Sequence, residues 1–220
     1  MMLAALLAAV ALAGPALPVP EARTVPAVRV FAFLRDYHAL PADERSAFTL
    51  RYTLEADPDP AGREWSFWTR LDGEEWRVLE RAPDGAVAPP DPARLSAGLQ
   101  LATDAPQGAV QAHVSFTLSA APSETYDLAE LQAALAQTRA AMRRSLGLRA
   151  LIAPRPRRID FTFDGSAPDA FAVFPDGREV ELTSVFENVI QLDPGARELR
   201  GAQTIRFARA PLHAVIVVAN

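Results

Sequence analysis

Residues 126–148 read YDLAELQAALAQTRAAMRRSLGL, and this stretch decides the fold. Leu128, Leu131, Leu135, Thr138, Met142 and Leu146 recur at steps of three and four, which lays one apolar stripe along a helix. Asp127 stands at the N-cap with Glu130 in the capping-box position, and Tyr126 and Leu131 sit where a hydrophobic staple would bring them together. Gly147 supplies the left-handed stop, with Leu148 able to fold back on the last turn. Start, stripe and stop agree on one long amphipathic helix.

On both sides of that helix the apolar period changes to two. Before it, Phe48–Leu54 alternates as a half-buried strand, and Val110–Leu118 alternates more strictly. Trp65–Leu71 and Glu74–Leu79 flank Asp72-Gly73, the pattern of a hairpin closed by a tight two-residue turn. Leu95–Ala102 reads as a strand, residues 55–62 and 82–92 as proline-rich loops, and Val28–Tyr37 as a short helix in competition with a strand. After it come Arg158–Phe163, Ala170–Phe174, Arg178–Leu182, Val189–Leu192, Gln203–Phe207 and Leu212–Val218, with tight turns at Asp164-Gly165 and Asp176-Gly177. The expected class is α+β, mainly antiparallel, with two sandwich-like strand regions flanking the helix. The divisions are a leader at 1–13, a proline-rich tether at 14–26, a β-rich region at 27–120, the helix at 121–150 and a C-terminal sheet at 151–220.

The chain has 220 residues and a net charge of -5, with 22 basic residues, all arginine, against 27 acidic ones. That length supports a core without staples, and the absence of cysteine removes disulfides and thiolate sites. Net acidity argues against nucleic acid as a partner, since phosphate neutralisation needs a basic surface. Leu3–Ala13 is an uncharged apolar run, too short for a membrane span, and Ala11-Leu12-Ala13 fits peptidase cleavage after Ala13. The run lacks the usual preceding Lys or Arg. No later window reaches the ~18 apolar residues of a span. The expectation is a periplasmic or secreted protein.

Catalytic signatures are scarce. His38, His113 and His213 have no partner at helical or strand spacing, and neither HExxH nor GxSxG occurs. Asp57-Pro58-Asp59-Pro60-Ala61-Gly62 begins like a calcium loop but places Ala61 and Trp68 where ligands are needed. Glu74 and Glu75, adjacent on a strand, would point to opposite faces and make no carboxylate pair. No catalytic, metal or cofactor site is assigned.

Two features carry binding readings. Trp65, Phe67, Trp68 and Trp76 concentrate aromatic surface on the hairpin, as core or as an aromatic platform. Arg139, Arg143, Arg144, Arg149, Arg155, Arg157 and Arg158 place seven positive charges in an interval without an acid. This is either a solvated face complementing the helix C-terminus or a docking patch for an anionic envelope component or an envelope protein. The segments Tyr126–Leu131, Leu146-Gly147-Leu148 and Ile159-Asp160-Phe161-Thr162-Phe163 resemble a family of exported bacterial proteins classed as a domain of unknown function. The resemblance implies export and carries over no site residue. The function expected is a non-enzymatic binding or interaction protein of the envelope. The alternatives are a secreted hydrolase with a dispersed site and a structural accessory to another envelope protein.

Overall fold

The computed structural model describes residues 23–58, 62, 64–147 and 155–219. The leader and most of the tether lie outside the described residues. The chain begins with β1 (Arg23–Pro26), α1 (Ala27–Val30), α2 (Leu34–Ala39), β2 (Phe48–Ala56), β3 (Phe67–Arg70), β4 (Arg77–Val78) and β5 (Ala86–Val87). It continues with α3 (Pro92–Ser96), β6 (Gln100–Thr103), β7 (Val110–Leu118), β8 (Thr125–Asp127) and the long helix α4 (Leu128–Leu146). The C-terminal third holds β9 (Arg155–Thr162), β10 (Ala170–Val173), β11 (Glu179–Glu181), β12 (Val189–Leu192), β13 (Thr204–Phe207) and β14 (His213–Ala219). The fold is α+β and its three sheets are antiparallel.

The helix ends where its capping residues place them. Asp127 accepts the Ala129 N–H through Oδ1 at 2.7 Å, and the Gly147 N–H donates to the Arg143 carbonyl. Leu128, Leu131, Leu135 and Thr138 are buried, joined by Ala134 and Ala141, and Met142 packs at the margin. Each fully buried leucine contributes on the order of 1.5–3 kcal/mol. The Thr138 hydroxyl closes onto the Ala134 carbonyl at 2.8 Å, so its burial leaves no unpaired donor.

The largest sheet has strand order β12-β9-β14-β7-β2-β5. Here β14 pairs with β7 on one side and β9 on the other, welding the strands before the helix to those after it. The C-terminal strands are therefore not one small sheet, as expected. β9, β12 and β14 join β2, β5 and β7, while β10, β11 and β13 form a second sheet with β8, in the order β11-β10-β13-β8. The third sheet has order β1-β6-β3-β4.

One face of the large sheet is covered. Phe48, Leu50, Tyr52 and Leu54 of β2 point into it with Phe116, Ile159, Phe161, Ile190 and Ile216. Phe31 and Phe33 precede α2 and Tyr37 lies on it; their rings sit 5.1–6.3 Å from Tyr52, Phe116 and Phe48. At the other end Phe207 of the second sheet lies 4.9 Å from Phe161, and Tyr126 lies 5.2 Å from Phe161. A single apolar cluster runs through all of these groups.

Several expectations need correction. The tether stops short of Pro26, because Arg23–Pro26 pairs with β6 as a strand. Val28–Tyr37 breaks into α1 and α2 at Phe33, whose φ of 64° is left-handed, an uncommon conformation for a bulky residue. Leu95–Ala102 is not one strand. Asp91 caps α3 by accepting the Ala93 N–H at 2.7 Å, Pro92 opens it, and the strand starts only at Gln100.

Candidate functional site

The arginines of the sequence cluster do not converge. Arg139 donates from Nε to the Pro156 carbonyl at 2.7 Å, tying α4 to β9. Arg144 pairs with Glu44 at 3.1 Å, and Arg157 pairs with Asp193 at 3.3 Å. Arg157 is the unmatched residue of a β-bulge, since Arg158 faces Val217 while Pro156 faces Val218, and bulges re-aim side chains in this way. Arg158 stays on the same outer side and donates to Gln191 Oε1. Among the described residues Arg143 and Arg155 have no acidic partner, and Arg149 lies outside them. The acids missing from the sequence interval are supplied by remote segments.

The aromatic group also divides. Phe67 and Trp68 are buried, the core alternative of the two readings, and present no aromatic surface. Trp65 is half-buried and donates from Nε1 to the Asp57 carbonyl at 2.8 Å. Trp76 lies under the Arg70 guanidinium, 4.4 Å from its ring centre. The hairpin register is one residue off that of a two-residue turn: Thr69 faces Arg77 and Trp68 faces Val78. Gly73 alone takes a positive φ, at 79°, and the Glu74 N–H returns to the Leu71 carbonyl. Type I′ geometry would need positive φ at Asp72 as well. Glu74 is held by both oxygens on Arg94, at 2.6 and 3.4 Å, and that pairing pulls its carboxyl below the usual range.

The feature that sequence alternation could not locate is the second face of the large sheet. Its side chains are mostly polar, Val215 and Val217 being exceptions, and among the described residues they are half-buried or exposed. Cross-strand register aligns Thr49, Thr117, Val215, Asp160 and Gln191 in one row across five strands. At ~4.8 Å per strand the row spans roughly 19 Å. Beside it lie Arg51 opposite Ser115, Thr53 opposite His113, and His213 opposite Thr162.

Electrostatics on this face are graded. Gln191 Nε2 donates to Asp160 Oδ1 at 2.9 Å and its Oε1 accepts from Arg158, so an amide links cation to carboxylate. Arg51 pairs with Asp84 at the far side. The Ala86 N–H and then Arg51 hold the Asp84 carboxyl below the usual range. His213 is lowered from 6.5, first by burial and then by Arg51, with Asp84 opposing. Its imidazole is therefore neutral at pH 7, offering one donor and one acceptor. His113 lies 3.6 Å from Glu55, both exposed. His38 is elsewhere, on α2, and is lowered by burial and Arg45.

Hydroxyls, an amide, a neutral imidazole and fixed guanidinium groups on a backed sheet can hydrogen-bond a polar partner along several strands. Among the described residues no three His, Asp or Glu side chains gather as a metal site, and no helix is long and apolar enough to cross a membrane. The fold and face together define an antiparallel α+β protein with one covered and one uncovered side. No family model, curated protein or solved structure matches the chain.

Proposed function

We propose that the chain is an exported, non-enzymatic interaction protein of the cell envelope, and that the uncovered sheet face is its contact surface. One observation carries this reading: four polar side chains, Thr49, Thr117, Asp160 and Gln191, stand in register with Val215 across five strands, backed by a continuous core. A rigid sheet presents such groups with little ordering cost on binding. The apolar run at Leu3–Ala13 supports export, and the fold of the described residues is compatible with it.

The test is a thermal-shift titration against anionic lipids, acidic and neutral glycans and divalent cations, using the native chain and a Val215→Arg variant. Val215 is half-buried at the centre of the polar row, so arginine there obstructs the face without entering the core. A ligand that prefers the native state raises the melting temperature with concentration. The expected result is a rise in the native chain that the variant loses. A rise of equal size in both proteins, or none across the panel, overturns the assignment of the face. Export is checked separately by fusing residues 1–22 to a reporter active only outside the cytoplasm.

A further inference from the structure

Among the described residues five large apolar side chains stand well exposed, and three of them gather at one end of the large sheet. These are Val185, Phe186 and Leu212, at 54%, 63% and 58% exposure. The turn from Phe186 to Val189 is closed by the Val189 N–H on the Phe186 carbonyl, and the Val185 N–H returns to the Val189 carbonyl. Val189 pairs with Thr162 on one side of β9, and on the other side the Leu212 N–H donates to the Thr162 carbonyl at 2.7 Å. Phe186 and Leu212 are thus about three strand widths apart, ~14 Å. Together the three expose on the order of 300 Å², comparable to the largest apolar patch of an ordinary monomer, a patch that often serves a contact.

The rim of this tip is acidic. Asp164, Asp169 and Glu187 are exposed around it, while the nearby Arg209 guanidinium is turned onto the Ser166 carbonyl. The other end of β9, eight residues or ~26 Å away, carries Arg155, with Arg143 near the end of α4. Neither arginine has an acidic partner among the described residues. An exposed phenyl ring flanked by carboxylates is the counterpart of free guanidinium groups, which take both aromatic faces and carboxylates.

We propose that this tip docks onto the Arg143/Arg155 end of a second copy of the chain, head to tail. The two surfaces differ, so the contact is heterologous, and each added copy leaves one tip and one arginine end open for the next. The patch is well below the ~800 Å² per partner of a standard stable complex, so the association is weak and concentration-dependent. This inference concerns the purified chain and stands independently of export and of the uncovered face.

Sedimentation velocity tests it, using the native chain, a Phe186→Ser/Leu212→Ser variant and an Arg143→Glu/Arg155→Glu variant in about 20 mM salt, where charges are little screened. The native chain is expected to gain weight-average mass with concentration, and each variant to stay monomeric. An equimolar mixture of the two variants regains association but stops at the dimer, because it holds only one productive tip–arginine pair. Far-UV spectra and melting temperatures check that the variants fold. Should the apolar variant fail that check, Asp164→Arg/Glu187→Arg reverses the rim instead and must pair with Arg143→Glu/Arg155→Glu. Three results overturn the proposal: a native chain monomeric to ~1 mM, association surviving in either variant, or a mixture of monomeric variants that remains monomeric.

Discussion

Phe161→Ala is the substitution that tests whether the molecule has one core. Phe161 is fully buried on β9, 4.9 Å from the Phe207 ring and 5.2 Å from the Tyr126 ring. Truncating a buried phenylalanine costs about 3–5 kcal/mol, and each ring pair accounts for roughly 0.5–1.5 kcal/mol of it. With a urea dependence of about 2 kcal/mol per molar, the midpoint should fall by roughly 1.5–2.5 M. The assay follows urea unfolding by tryptophan fluorescence and by far-UV circular dichroism. All three tryptophans, Trp65, Trp68 and Trp76, lie in the segment before α4, remote in sequence from β9. If β14 joins both halves into one cooperative unit, fluorescence and dichroism midpoints fall together. A fluorescence midpoint that stays in place while the dichroism curve splits would refute the single core.

Three further outcomes follow from particular residues. At Phe33, whose φ is 64°, Asn should be more stable than Val by about 1–2 kcal/mol in chemical denaturation, because β-branching resists the left-handed region; Val equal to or above Asn would remove the strain argument. Asp127→Ala should cost about 1 kcal/mol, or some 2–4 °C in melting temperature, through loss of the N-cap to Ala129, and an unchanged melting temperature would contradict it. His213 has a folded pKa below 6.5, so the unfolded chain binds the proton first as pH falls through 6.5 and stability declines below that point. His213→Gln should flatten that decline in melting temperature, leaving the same-sign contribution of His38, and an unaltered slope would exclude the effect.

How much of this was legible beforehand depended on range. The bounds of α4 were readable because capping residues and stripe all act within four positions of one another. The alternation of Val110–Leu118 announced a strand, yet alternation is symmetric. It says which residues share a side of the sheet and is silent on which side the rest of the chain will cover. The arginine interval looked unpaired because Glu44, 100 residues from Arg144, and Asp193, 36 residues from Arg157, are brought in only by tertiary packing. The short helix α3 could have been read: Asp91-Pro92 is an N-cap followed by proline at the first helical position, a signal outweighed there by the apolar residues that follow. Nothing local foretells the left-handed Phe33, whose ring contact is with Phe116, 83 residues further along the chain.

The position of β14 bears on when the chain can fold. Its neighbours β7 and β9 are separated by α4 in sequence, and neither pairs with the other. Until residues 213–219 are available, the large sheet is two fragments with raw edges, and the aromatic residues beneath lack a continuous roof. A polypeptide emerging from the ribosome therefore has no finished core to collapse onto until nearly its whole described length is free. Such late closure, dominated by long-range pairing, makes folding slow. Under the export proposed above, slowness of this kind would hold the chain in the unfolded form that a translocation pore accepts.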